Sequence, residues 1–127
     1  MTRSSYADNH VLAVAGEGFA CGVYEGAGYE LLGSRVRLSA GELDLIMQSP
    51  EGDIVFVEVK TRRGRSFGAA EAVTAKKLAT MRRCAAEWLK SCPAGEWAAV
   101  RFDVAEVVFR GDEIEIEIYE DVENGAG

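Results

Sequence analysis

One histidine, His10, and three cysteines, Cys21, Cys84 and Cys92, are all that 127 residues offer to imidazole or thiol chemistry. A histidine triad or a histidine-rich zinc site needs more than one such ring at suitable spacing, so both are excluded. An odd cysteine count without a C-x-x-C pair makes a poor disulfide framework and a poor metal site. Three reduced, partly buried thiols are expected instead. Long apolar runs are also missing. None approaches the roughly 20 residues of a membrane span, and residues 1–10 lack the apolar stretch of a secretory signal. The expected location is therefore the cytoplasm, with no membrane partner. Hydrolytic chemistry, if present, falls to carboxylates, lysine or a bound metal.

What is there is ordinary in amount and uneven in placement. Hydrophobic residues are 48% and charged residues 28%, the profile of one globular domain with one core. Residues 11–120 are expected to form that domain, with 1–10 and 121–127 as loose tails. Net charge is −7, which argues against a nucleic-acid partner if it is spread evenly. It is not. Residues 60–83 hold eight bases against Glu71, whereas 103–127 hold nine acids against Arg110. Screening over roughly 8 Å lets a basic face act while the acidic end sits elsewhere.

Hydrophobic periodicity predicts a helix over 11–27, with Leu12, Phe19 and Val23 on one face despite four weakening glycines. Strands follow over 29–38, 42–47 and 53–60, the last two joined by the turn Ser49-Pro50-Glu51-Gly52. Ile54-Val55-Phe56-Val57 is apolar on both faces and should lie centrally in a covered sheet. A basic loop over 61–73 leads to Thr74, the expected N-cap of a helix reaching about residue 90. Its stripe of Leu78, Met81, Ala85, Trp88 and Leu89 should face the core. Strands over 98–109 and 113–119 complete the chain, and Glu113, Glu115 and Glu117 alternate with isoleucines as at a wet sheet edge. The order is α-β-β-β-α-β-β: an α/β fold with a mixed central sheet and flanking helices.

The chemistry lies in Gly41-Glu42-Leu43-Asp44-Leu45-Ile46 and Phe56-Val57-Glu58-Val59-Lys60-Thr61-Arg62. Side chains alternate along a strand, so Glu58 and Lys60 share one face. If the hairpin pairs Gln48 with Ile54, Asp44 falls opposite Glu58 and Glu42 opposite Lys60. Opposed Cβ atoms stand roughly 5 Å apart, where two carboxylates repel. A dication such as Mg²⁺ rewards that pairing, because it binds through one or two carboxylates and keeps several waters. Lys60 would orient an attacking water and stabilise developing negative charge. The plainer alternative is a surface Glu42–Lys60 ion pair with Asp44 and Glu58 in solvent; the apolar neighbours of Glu58 argue against it.

These blocks resemble the YraN-like family, an uncharacterised bacterial group related to archaeal Holliday-junction resolvases and to the PD-(D/E)xK nucleases. The resemblance runs over residues 16–104. It also includes Gly16-Glu17 with Ala20, Gly28-Tyr29, Lys77, and Arg101-Phe102-Asp103-Val104. It implies a restriction-endonuclease-like fold. By motif, Asp44 and Glu58 become metal ligands together with the Val59 carbonyl, and Lys60 becomes the catalytic lysine. Glu17 becomes a helix acid that reaches the metal through water, and Glu42 is assigned as a partner of Lys60. Ser34-Arg35-Val36-Arg37 departs from the family, which usually carries Arg-Asn before the strand arginine.

The function expected on this basis is hydrolysis of phosphodiester bonds in DNA, branched or distorted DNA included, with Mg²⁺ or Mn²⁺ as cofactor. DNA is favoured over RNA. Arg37, Arg62, Arg63, Arg65, Lys76 and Lys77 are the expected phosphate contacts. A homodimer is expected from the related resolvases. The alternative is a non-catalytic module that keeps the fold and binds nucleic acid or protein, with the acidic edge over 113–123 as its surface.

Overall fold

The computed structural model describes residues 5–64, 73–93 and 97–124. Helix α1 (Ser5–Gly26) precedes strands β1 (Glu30–Leu38), β2 (Gly41–Gln48) and β3 (Ile54–Arg63). Helix α2 (Ala75–Leu89), strands β4 (Val100–Arg110) and β5 (Glu113–Tyr119) and a 3-10 turn (Val122–Asn124) follow. The five strands form one sheet in the order β1-β2-β3-β4-β5. All neighbours are antiparallel except β3 and β4, which are parallel. A parallel pair needs a crossover connection, and α2 lies in it. The order α-β-β-β-α-β-β and the mixed sheet match expectation, an arrangement consistent with a nuclease-like fold.

Each helix covers one face of the sheet. On one side Ala20 and Tyr24 of α1 pack on Leu45, Met47, Val55, Val57, Ala105 and Val107. On the other, Met81, Cys84 and Ala85 of α2 pack on Leu43, Ile46, Ile54, Phe56 and Phe102. Ile54 to Val57 are buried throughout, as an apolar run with two covered faces requires. Thr74 caps α2 by accepting the Lys77 N–H at 3.1 Å. None of the described helices is long and apolar enough to cross a membrane.

Four expectations need correction. Helix α1 begins at Ser5 rather than residue 11, because nothing between Tyr6 and Ala15 breaks a helix. Its buried seam is Gly16, Ala20 and Tyr24, four residues apart, rather than Leu12, Phe19 and Val23. Small residues win because the helix lies so close to β3. A Cβ on Gly16 would stand 2.0 Å from Thr61 Oγ1 and 2.9 Å from Thr61 Cβ. Strand β3 continues to Arg63, paired with β4 through Arg63↔Phe109, so Thr61, Arg62 and Arg63 belong to the sheet and not to a loop. At the other end, part of the supposed tail is docked: Asp121 donates its N–H to Asp103 at 3.0 Å, and Glu123 meets Arg82 at 3.1 Å.

Asp103 is fully buried yet satisfied. Its carboxylate accepts from the Tyr24 hydroxyl at 2.7 Å, from Arg101 Nε and an Arg101 terminal nitrogen at 2.9 and 3.0 Å, and from the Asp121 N–H. One carboxylate thus ties α1, β4 and the C-terminal segment together, and burial with the Asp103 charge pushes the Tyr24 hydroxyl pKa up. Removing it strands Arg101 and the Tyr24 hydroxyl without their acceptor. Asp103→Ala is expected to lower unfolding free energy by about 3 kcal/mol, read as a shift of the urea midpoint.

Candidate functional site

The site is built where β2 and β3 part. The hairpin pairs Gln48↔Ile54, Met47↔Val55, Ile46↔Phe56 and Leu45↔Val57, the register expected from the turn. Gly52 (φ 97°) closes that turn, with its N–H donated to the Ser49 carbonyl at 2.9 Å. The β2–β3 ladder stops at Leu45, although β2 stays paired to β1 through Leu43, Glu42 and Gly41. A fork opens beyond Val57, and β3 enters it with an unpaired edge. Asp44 stands at the crotch and accepts the Val59 N–H on Oδ2 at 2.8 Å. A carboxylate here substitutes for the missing strand.

That placement sets the electrostatics. Asp44 is half-buried and its carboxyl is pushed from the usual 3.8 to about 6, first by burial and then by the charge of Glu58. Glu58 itself is buried, with 7% of its side chain exposed. From the α1 side, Glu17 also feels Asp44. Burial raises the Glu17 carboxyl, and Asp44 and Glu42 raise it further against Arg35, whose guanidinium donates to Glu17 Oε1 at 2.8 Å. Arg35 has a left-handed backbone (φ 51°) between the β1 residues paired to Leu45 and Leu43. The charge of Asp44 is thus felt by Glu17 on α1, and that of Glu58 on β3 is felt by Asp44. Gly16 makes this geometry attainable, because a larger residue would lift α1, and Glu17 with it, off β3.

Bases answer Glu58 from two directions. Lys60 Nζ stands 3.6 Å from Glu58 Oε2, and Lys77 Nζ from α2 stands 3.4 Å from the same oxygen. Lys77 was expected as a phosphate contact; that it stands beside Glu58 could not be read from the sequence, since nothing in the chain says where the first turn of α2 lies relative to β3. Glu42 is placed differently from expectation. Its ion pair is with Arg37 at 3.8 Å, not with Lys60, because β2 has already left β3 at that level.

The expected phosphate contacts scatter. Arg37 is 81% exposed on the β1 edge. Arg63 and Lys76 are exposed at the end of β3 and the start of α2. Arg62 is drawn to the fully buried Glu106 of β4 at 3.0 Å. Arg65 lies outside the described residues. Glu106 was missed in the sequence because its alignment beside Lys60 comes only from the parallel register Lys60↔Glu106.

Among the described residues, no three His, Cys, Asp or Glu side chains gather as a ready-made metal cluster. The donor set is smaller: two carboxylates, one of them raised in pKa by burial and by the charge of the other. In a strand the N–H and C=O of one residue face the same neighbour, so the Val59 carbonyl faces the fork as its N–H does. Two carboxylates and a carbonyl suit a hard dication that keeps its waters, such as Mg²⁺, and do not suit zinc.

Relatives are numerous. The model of an uncharacterised protein family, UPF0102, matches residues 16–107. A UPF0102 protein of Corynebacterium diphtheriae is 44% identical over 119 residues, 93% of this chain and 95% of the relative. One of Corynebacterium glutamicum is 47% identical over 117 residues, 91% and 93%. A third, from Frankia casuarinae, is 47% identical over 90 residues, 70% and 75%.

A carboxyl held near 6 against an unfolded value near 3.8 binds its proton more readily in the folded state. It therefore costs stability once pH exceeds 6, and the cost fades as pH falls toward 4. Asp44→Asn keeps an acceptor for the Val59 N–H and removes the charge. In chelator-treated protein it is expected to gain about 1–3 kcal/mol at pH 7, shrinking to nothing near pH 4, by urea unfolding at both pH values.

Proposed function

This chain belongs to the uncharacterised protein family UPF0102, the YraN-like proteins, and from its site we propose a dication-dependent nuclease that hydrolyses phosphodiester bonds in DNA. The observation that carries the proposal is the placing of Asp44 and the buried Glu58 at a fork in the sheet, where burial first and the Glu58 charge second raise the Asp44 carboxyl to about 6. A structural sheet has no use for two acids pressed together at the cost of stability; a site for a dication does.

Asp44, Glu58 and the Val59 carbonyl would hold Mg²⁺ or Mn²⁺. When bound, such an ion supplies charge neutralisation at a phosphate and a water of lowered pKa. The chain's own groups do the rest. The Val59 N–H pins the Asp44 carboxylate so that it cannot turn away from the fork. Lys60 carries a fixed positive charge beside Glu58 and can donate to a phosphate oxygen as negative charge grows there. Glu17, held by Arg35, can accept a proton from water in the gap, and its burial keeps its pKa above that of a free carboxylate. Arg63, Lys76 and Arg37, exposed at the end of β3, the start of α2 and the β1 edge, are the groups for phosphates farther from the fork. Arg62 joins them with a guanidinium already braced by Glu106.

The alternative is a non-catalytic module that docks through the acidic edge of β5. It leaves the two acids at the fork, whose charges act on each other, without a purpose. A homodimer remains part of the proposal, with Val11, Val14, Leu31 and Leu32 exposed on α1 and β1 as apolar surface for it.

Labelled single-stranded, duplex, flap and four-way-junction DNA incubated with Mg²⁺ or Mn²⁺ tests the activity. Cleavage of at least one substrate is expected, abolished by Glu58→Gln and by Asp44→Asn with far-ultraviolet circular dichroism unchanged. Binding should weaken with salt at a log–log slope of about −4 to −5 for four to six phosphate contacts. Cleavage surviving both substitutions would defeat the assignment.

A further inference from the structure

Glu58 has more positive charge around it than one carboxylate needs. Lys60 and Lys77 both approach Oε2, at 3.6 and 3.4 Å. The two lysines come from different elements. Lys60 is fixed in direction by β3, two residues beyond Glu58. Lys77 arrives from the first turn of α2, its backbone N–H held by Thr74 at 3.1 Å, with 38% of its side chain exposed. Its charge also reaches Asp44 and opposes the upward shift of that carboxyl. Lys76 next to it and Arg83 two turns on are exposed, so Lys77 is the member of the helix's basic series turned into the fork.

A lysine so placed has two partners available in succession. An ammonium group is a compact charge on a flexible four-carbon stem, so it can leave one oxygen for another without moving its helix. An ammonium and a dication on one carboxylate repel strongly when desolvated, so a lysine seated on Glu58 opposes dication entry. A phosphate brought to the same place offers the lysine a new acceptor.

We propose that Lys77 is a second active-site lysine: its ammonium is ion-paired with Glu58 in the free protein and moves to donate to a non-bridging oxygen of the scissile phosphate when substrate and dication bind. This rests on the nuclease assignment above and adds a coupling to it. Lys77 keeps its proton throughout, and no covalent bond to it forms or breaks. Because the lysine stands against the dication until phosphate draws it off, dication and nucleic acid bind more tightly together than apart.

Calorimetric titration of the whole chain with Mn²⁺ alone separates this from a structural role. Wild type, Lys77→Met, Lys77→Gln, Lys90→Met and Asp44→Asn are compared, each first checked for folding by circular dichroism. Lys90 caps the far end of α2 and controls for the loss of one positive charge. Loss of the Lys77 charge is expected to tighten Mn²⁺ by ~10-fold in both Lys77 variants, with Lys90→Met within ~2-fold of wild type by screening over that distance. Unchanged or weakened Mn²⁺ binding in the Lys77 variants, with binding lost in Asp44→Asn, overturns the role of Lys77 and leaves the dication site standing. Absence of Mn²⁺ binding in wild type and both Lys77 variants up to millimolar concentration overturns both.

Discussion

A backbone donor has to be satisfied where β2 leaves β3, and the Asp44 carboxylate satisfies it. Most of the site follows from that hydrogen bond. Because β2 turns aside after Leu45, β3 runs on for six residues with no β2 partner, and the gap admits side chains from both faces. Lys77 reaches Glu58 from α2, while Glu58 and Lys60 come from β3 itself, and Glu17 on α1, held by Arg35, feels the Asp44 charge. Had the ladder continued, Asp44 would sit over the sheet as an ordinary cross-strand neighbour of Glu58, and Val59 would be occupied by another strand. The fork makes a cleft out of a surface.

Stability and site geometry are divided between the two ends of β3. Near its start, Phe56 stacks on Phe102 with centroids 5.6 Å apart and meets Trp88 edge-on at 5.9 Å, and the buried run from Ile54 to Val57 is clamped between both helices. One strand over, Asp103 is fully hydrogen-bonded and fixes α1 against β4. Near the end of β3 the burial falls away, the neighbours become charged, and one carboxyl is held well above its usual value. Such a division is what a rigid platform carrying a strained polar site requires. It also lets an acidic chain carry the phosphate site proposed above. The acids of β5 line the far edge of the sheet, two strands from the fork, beyond the roughly 8 Å over which exposed charges act.

How much of this was legible depended on whether a residue's neighbours were local. The β2–β3 register could be worked out, because the Ser49–Gly52 turn fixes it within a few residues and the alternation of Phe56, Glu58 and Lys60 is self-evident. The stripe on α2 was equally plain, and Met81, Ala85 and their neighbours are where it put them. The fork was not, since a strand's departure from one neighbour while it keeps the other leaves no periodic trace. Nor was the seam of α1: Gly16 looks like a helix weakener until the closeness of Thr61 shows it to be the contact, with Ala20 beside it in the core. Asp103 and Glu106 looked like members of an acidic tail, yet both are fully buried. Their partners Tyr24 and Arg62 are brought to them only by tertiary packing and the parallel register. Glu42 illustrates the same limit in reverse, because the register that placed it beside Lys60 ended three residues too soon.

The central claim is that Asp44 and Glu58 stand together in order to share a dication. A crystal grown with Mn²⁺ and measured by anomalous scattering tests it most directly. One peak between the two carboxylates and beside the Val59 carbonyl is the predicted result, absent from crystals of Glu58→Gln. An empty fork at millimolar Mn²⁺, or a peak only at the surface acids of β5, would contradict it.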